Sequence, residues 1–167
     1  YGTTTNHVLA LELVQADGEV VRLGSTTGAA PGYDLVGAVV GSEGTLGIVT
    51  EVSLRLLPRP DAVETALAIF PDVVSACRLV GRIMRSGMVP AALEIVDKPC
   101  VDVSFRKKGL PVPFPEAEAR LLVEFDGGGD EEVERDVTRC GEVALDAGAL
   151  DVVLATDEAK RRELWEV

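Results

Sequence analysis

The sequence predicts an α+β protein in two parts that meet near residue 60. Three observations predict it. Short apolar runs at residues 8–14 and 20–23 flank Asp17-Gly18; helical stripes alternate with short apolar runs beyond residue 61; and Pro58-Arg59-Pro60 separates the two patterns.

In the first part, Val8 to Val14 and Val20 to Leu23 read as two strands. Asp17-Gly18 between them predicts a hairpin with a type I′ turn, because both residues tolerate positive φ. Apolar residues on both faces of the first strand, broken only by Glu12, predict a sheet covered on both sides. Residues 24–32 form a Ser/Thr/Gly/Ala/Pro loop. Leu35, Val36, Val39 and Val40 then recur at helical spacing, with Asp34 as the starting cap and Gly41 just past the end. A glycine-rich turn, Gly41 to Gly47, leads into a strand from Ile48 to Leu57, and Pro58-Arg59-Pro60 ends it.

The second part begins with a strand over Val63 to Phe70. Asp72 caps a helix whose stripe reads Val73, Cys77, Val80 and Met84, and Gly87 ends it. Ala91 to Val96 is a second strand. Pro99 to Pro115, with Pro111 and Pro113 between them, reads as a loop with one helical turn. Arg120 to Phe125 is a third strand. Gly127-Gly128-Gly129 opens a helix with the stripe Val133, Val137, Cys140, Ala144 and Ala147, and acidic residues 130–134 crowd its positive end. Leu150 to Leu154 is a fourth strand, and Asp157 caps a final helix. The order β-α-β, loop, β-α-β predicts a ferredoxin-like unit: four antiparallel strands with two helices on one face.

Composition narrows the partners. The formal net charge is −12, which disfavours nucleic acid and anionic membranes, since both need a basic face. No apolar run is long enough to cross a bilayer. The three cysteines, Cys77, Cys100 and Cys140, are far apart and suit neither a disulfide framework nor a zinc site. A reduced, cytoplasmic compartment is the expectation. With one histidine, His7, a metal site of several histidines is excluded within this chain. The first residue is Tyr1, and the last residues stop inside a helical pattern, so the chain reads as part of a longer protein.

The residues of chemical interest are few. Gly41, Gly44 and Gly47 let backbone N–H groups approach a ligand without an intervening Cβ. Their spacing leaves two readings open: a cradle for phosphate or nucleotide, and a tight helix-to-strand connection. Without Gly-Lys-Ser/Thr the turn is no Walker loop, and since it precedes a strand it is no Rossmann fingerprint. Tyr1 to His7 is rich in hydroxyls and reads either as a cofactor-facing segment or as a solvated loop. Cys77 and Cys140 read as small core residues on the helix stripes, and Cys100 as the one candidate reactive thiol. Arg106-Lys107-Lys108 reads as an attractor of anionic substrate or as solvated surface. Leu164 and Trp165 read as core contacts. Glu43 reads as a partner for a ribose hydroxyl or as a turn cap. No residue is assigned a catalytic role.

These residues also carry a family resemblance. Tyr1-Gly2 with Val8-Leu9, Ala16-Asp17-Gly18, Gly32-Tyr33-Asp34-Leu35, Gly41-Ser42-Glu43-Gly44-Thr45-Leu46-Gly47-Ile48-Val49-Thr50 and Leu54 to Pro58 resemble FAD-linked oxidases of the vanillyl-alcohol oxidase type. Among these the chain looks most like the glycolate oxidase FAD subunit and the D-lactate and D-2-hydroxyacid dehydrogenases. Residues 87–94, Leu122-Val123-Glu124 and Glu163-Leu164-Trp165 sit where the family has its cap domain.

The resemblance implies that residues 1–60 are the second half of a PCMH-type FAD-binding domain. Residues 61–167 would begin the cap, or substrate, domain. It places Tyr1, Gly2 and Thr3 near the flavin, and Glu43, Gly44, Thr45, Leu46, Gly47, Ile48, Val49 and Thr50 around the adenine and ribose. It implies oxidation of a small 2-hydroxy acid by hydride transfer to FAD, with electrons passing to a quinone, another subunit or oxygen, and allows a homo-oligomer. The family's pyrophosphate-binding glycine segment, its histidine metal pair and its catalytic histidine have no counterpart here, nor has the arginine that follows Leu-Trp. Half a flavin site is expected to be apo and inactive by itself. The competing expectation is a non-catalytic ferredoxin-like module that binds a small ligand, pairs with its own copy or docks on a redox complex.

Overall fold

The computed structural model describes residues 2–27 and 32–166. Tyr1 and the part of the Ser/Thr/Gly loop at residues 28–31 lie outside them. The chain divides into two compact units, Tyr1–Arg59 and Pro60–Val167.

The first unit holds a three-stranded antiparallel sheet. A 3-10 turn, Thr4–Asn6, leads into β1 (Val8–Val14). Then come β2 (Val20–Gly24), a short helix α1 (Leu35–Val39) and β3 (Ile48–Leu54), in the sheet order β2-β1-β3. The hairpin differs from the expected type I′ turn. Its loop has three residues, closed by Gly18 N–H donating to Gln15 O and Gln15 N–H donating to Glu19 O. Only Gly18 takes a positive φ (86°), while Asp17 accepts a bond from Glu19 N–H. Strand β3 stops at Leu54, three residues short of the expectation.

Among the described residues of the first unit, an apolar cover is found on one face of the sheet. Leu11 and Leu13 pack under Val36 and Val39 of α1, which Asp34 caps by accepting from Gly37 N–H. On the opposite face Glu12 accepts from Arg22 at 2.9 Å and from Thr50 Oγ1 at 2.9 Å, and Arg22 also reaches Glu51. A carboxylate at the centre of that face makes it a charged surface, so the expectation of two apolar covers fails there. The bonds from Thr50 and Arg22 hold the Glu12 carboxyl below its ordinary value.

The second unit runs β4 (Ala62–Phe70), α2 (Val73–Arg85), β5 (Ala92–Asp97), α3 (Lys98–Lys108), β6 (Ala119–Gly127), α4 (Asp130–Asp146), β7 (Asp151–Leu154) and α5 (Glu158–Trp165). Its sheet order β5-β6-β4-β7, all antiparallel, is the ferredoxin-like arrangement expected. Alternate residues of the two central strands, Ala66, Ala68 and Phe70 with Leu121, Val123 and Phe125, meet α2 and α4 in one core. The intervening residues Leu67, Ile69 and Leu122 pack on the other face against Ala117, Ala155 and Leu164.

Three expectations are corrected in this unit. Helix α2 buries Ala76, Leu79 and Ile83, whereas Val73, Cys77 and Met84 are exposed. The helix is apolar on two sides, and the sheet takes the side that carries small Ala76. The stretch 98–108 is a full helix, not a loop. Pro99 sits in its first turn, where a missing N–H costs nothing; Asp97 caps it and Gly109 closes it at φ 67°. Arg106-Lys107-Lys108 forms its last turn, the favourable end for cations, and Lys108 bonds Glu166. Trp165 is half-exposed rather than core, its Nε1 donating to Glu124 at 2.8 Å, while Leu164 is buried. No helix among the described residues is long and apolar enough to cross a membrane.

Candidate functional site

The glycine-rich turn connects α1 to β3, and the three glycines differ in what they do. Gly47 (φ 148°) lies against β1: a Cβ there would sit 2.6 Å from Val14 O, so its smallness is needed for packing. Gly41 (φ 88°) meets nothing within 4 Å at the Cβ position, and Gly44 (φ 79°) only Gly47 O at 4.0 Å. Between them Glu43 is itself held at φ 51°, a conformation uncommon outside glycine. The turn is closed by Ser42 N–H donating to Val39 O, and by Thr45 donating to Ser42 O from both N–H and Oγ1. Among the described residues the N–H groups of Glu43 and Gly44 donate no hydrogen bond. Two adjacent amides on open, Cβ-poor backbone form a small donor surface of the kind that suits phosphate or nucleotide oxygens.

Beside this turn lies an open cleft of about 390 Å³, lined by Val8, Leu11, Val39, Gly41, Gly44, Gly47, Ile48, Val49 and Val52. A larger open groove of about 930 Å³ lies around the start of α1, with Thr5, Val8, Gly24, Asp34 and Arg55 among its walls. Val8 lines both.

The expected site residues fall into separate places. Gly2 and Thr3 precede the Val8 end of β1, where Val8 pairs with Leu54; Thr3 O accepts from Asn6 N–H. Tyr1 lies outside the described residues. Gly47 and Ile48 lie at the other end, where Ile48 pairs with Val14. The seven residues of β1 therefore separate the two segments by roughly 20 Å. Ile48 and Val49 line the smaller cleft, Leu46 is exposed, and the Thr50 hydroxyl is engaged with Glu12.

Other candidates recede. Cys100 is the third residue of α3, and hydrogen bonding to Asp97 together with its charge raises the thiol above its ordinary value. That opposes thiolate formation and removes the motive for reading it as a nucleophile. Cys77 is exposed, contrary to the expectation of a core residue, whereas Cys140 is buried and its thiol is raised to about 11. Among the described residues no group of three or more His, Cys, Asp or Glu side chains could hold a metal ion. Sequence reasoning passed over Arg120, a fully buried cation on β6. The sequence marks it only as the first residue of the expected strand Arg120 to Phe125.

Fold and turn together define a class: a small antiparallel sheet unit with a glycine-rich turn, followed by a ferredoxin-like α+β unit. Comparison with known proteins specifies it. Residues 59–167 match the family described as FAD linked oxidases, C-terminal domain, and the chain belongs to that family. It is 41% identical over 167 residues to glycolate oxidase subunit GlcD of Escherichia coli (strain K12), covering 99% of this chain and 33% of that protein. It is 35% identical to a D-lactate dehydrogenase of Anaerostipes hadrus, covering 100% of this chain and 36% of that protein. The chain thus spans about a third of the length of the curated relatives it matches. The solved structure of 4-ethylphenol oxidase from Gulosibacter chungangensis superposes with a TM-score of 0.66 at 16% identity, covering 96% of this chain and 37% of that one. At that identity it speaks for the fold.

Proposed function

We propose that this chain is part of an FAD-dependent oxidoreductase acting on a small 2-hydroxy acid of the glycolate or D-lactate type, with residues 1–60 contributing to the FAD-binding domain and residues 61–167 to the cap domain. The observation that carries the reading is the Gly41–Gly44 backbone, with two unengaged amides in a chain whose relatives are named glycolate oxidase subunit and D-lactate dehydrogenase. The donor set fits the cofactor: neutral amides bind oxygens of a nucleotide, and the open Cβ positions of Gly41 and Gly44 leave room for it.

When bound, FAD supplies the acceptor for the hydride that leaves the carbon bearing the substrate hydroxyl. This chain's residues bind and orient. Glu43 and Gly44 present amides, Ile48 and Val49 give the adenine end an apolar wall, and Gly2 and Thr3 flank the flavin end. The roughly 20 Å between the two segments suits an extended dinucleotide rather than a compact ligand. Gly47 acts indirectly, by seating the turn on Val14. The final electron acceptor would be a quinone, a further subunit or oxygen.

The test is the visible absorption spectrum of the full-length protein, with D-lactate and glycolate added in turn. Flavin bands that bleach with one acid support the reading and name the substrate. Bands that bleach with neither keep FAD and reject the hydroxy acid. A protein without flavin bands, even after FAD is supplied, overturns the reading.

A further inference from the structure

Charges buried in a protein are ordinarily paired. Arg120, the second residue of β6, is 1% exposed. Its cross-strand neighbours are apolar, Ile69 on β4 and Val96 on β5. Its Nη2 donates to Pro113 O at 2.5 Å and Phe114 O at 3.4 Å. Its Nε and Nη1 are buried and have no hydrogen-bond partner among the described residues. Asp102 of α3 and Glu116 act on the guanidinium through their field, while burial, the larger influence, works against its charge.

What covers this guanidinium is a strap, residues 110–117. Pro113 and Pro115 within it are exposed. Phe114 within it is held at φ 52°. Lys98 Nζ donates to Pro115 O at 2.8 Å and to Glu118 at 3.1 Å. Three consecutive carbonyls of the strap, from Pro113 to Pro115, therefore rest on two cations.

We propose that Arg120 is the receptor of a buried anion site beneath the 110–117 strap, taking a small monocarboxylate on its Nε and Nη1 donors. A guanidinium is planar, carries five donors and prefers planar oxyanions. Ile69 and Val96 beside it are apolar and offer the anion no competing polar group, which suits a small carboxylate with an apolar body. The field of Asp102 and Glu116 disfavours a dianion such as phosphate. Entry requires the strap to lift, which releases the Pro113 and Phe114 carbonyls and frees the remaining donors. The site needs no flavin and its test reads none, so it stands or falls separately from the cofactor reading.

The experiment is thermal unfolding of the full-length protein at constant ionic strength, with sodium acetate titrated against sodium chloride. The expected result is a saturable rise in melting temperature, roughly 5 °C at about 100 times the half-saturating concentration. Arg120→Met is expected to abolish the rise. Should that variant fail to fold, Asp102→Asn decides: removal of a neighbouring negative charge tightens carboxylate binding about 3- to 10-fold. A carboxylate response equal to that of chloride, a rise that persists in Arg120→Met, or an unchanged affinity in Asp102→Asn each overturns the proposal. Destabilisation of Asp102→Asn without tighter carboxylate binding also overturns it, since Asp102 would then be the natural counter-ion.

Discussion

Strand β6 buries six of its nine residues, whereas strand β3 exposes six of its seven. Both belong to antiparallel sheets of apolar sequence, and the difference lies in their neighbours. β6 is central, paired on both sides, and covered on one face by α2 and α4 and on the other by Ala117 and Leu164. β3 is an edge, and Ile48, Val52 and Leu54 on it remain open. The core of the first unit is four buried residues, Leu11 and Leu13 of β1 with Val36 and Val39 of the five-residue helix α1. A strand's composition therefore says how apolar its surroundings ought to be, and its place in the sheet decides whether they are.

This contrast can be broken experimentally, and the largest effect belongs to the second unit. Phe125→Ala, which empties a fully enclosed site, should destabilise that unit by about 3–5 kcal/mol in urea unfolding. Leu13→Ala in the first unit should cost less, about 2–3 kcal/mol, because its small cover can collapse. Equal costs would show the two cores to be equally well packed. Gly47→Ala should destabilise the first unit by about 1–3 kcal/mol through φ strain and collision with Val14 O. Gly44→Ala, with open space around it, should cost less stability and instead weaken FAD binding in the full-length protein; an unchanged FAD affinity would remove Gly44 from the cofactor site.

Two gentler probes sharpen the same comparison. Thiol labelling should modify exposed Cys77 first, then Cys100, whose thiolate Asp97 opposes, and buried Cys140 only when the second unit opens. Cys140 reacting as fast as Cys77 would contradict the packed α4 face. Acid should act unequally. Glu12 in the first unit, and Asp72 and Asp97 in the second, have lowered carboxyl values through hydrogen bonds from Thr50, Ser75 and Cys100 respectively. Their stabilisation is complete above the ordinary carboxylate value near 4, and is lost as pH falls through the lower folded value. Glu64 in the second unit is raised by burial, so its contribution has the opposite sign: present below about pH 4 and lost as pH rises through its folded value. Melting curves from about pH 6 to pH 3 should therefore show the first unit losing stability without an offset, and Glu12→Gln should flatten its curve.

The ferredoxin-like order was legible because each β-α-β half carries its own punctuation. Asp72, Asp157 and Gly148 mark ends that the structure keeps. Helix α3 was illegible because prolines near both ends of residues 99–115 read as breakers, although Pro99 occupies the one turn where proline fits. The face of α2 was misjudged because its period admits two apolar stripes, and choosing between them is a tertiary decision. At the candidate site, spacing marked the glycines but could not divide them. Gly47 proves to be packed on β1, and Gly41 and Gly44 open, only once β1 is in place. Arg120 was hidden for the same reason: nothing local to a strand tells that a strap will close over its outer face.

The seven residues of β1 carry a consequence for how such genes can vary. The strand lies between the segment after Gly2 and the turn around Gly44, and its alternation sends Leu11 and Leu13 to α1 and Glu12 to Arg22. Insertion of one residue would exchange the oily and charged faces downstream of it, and deletion of two would shorten the spacing by about 7 Å. Strand β1 is thus a gauge of fixed length, and tolerated length changes should fall in exposed connections such as the Asp17-Gly18 hairpin loop instead.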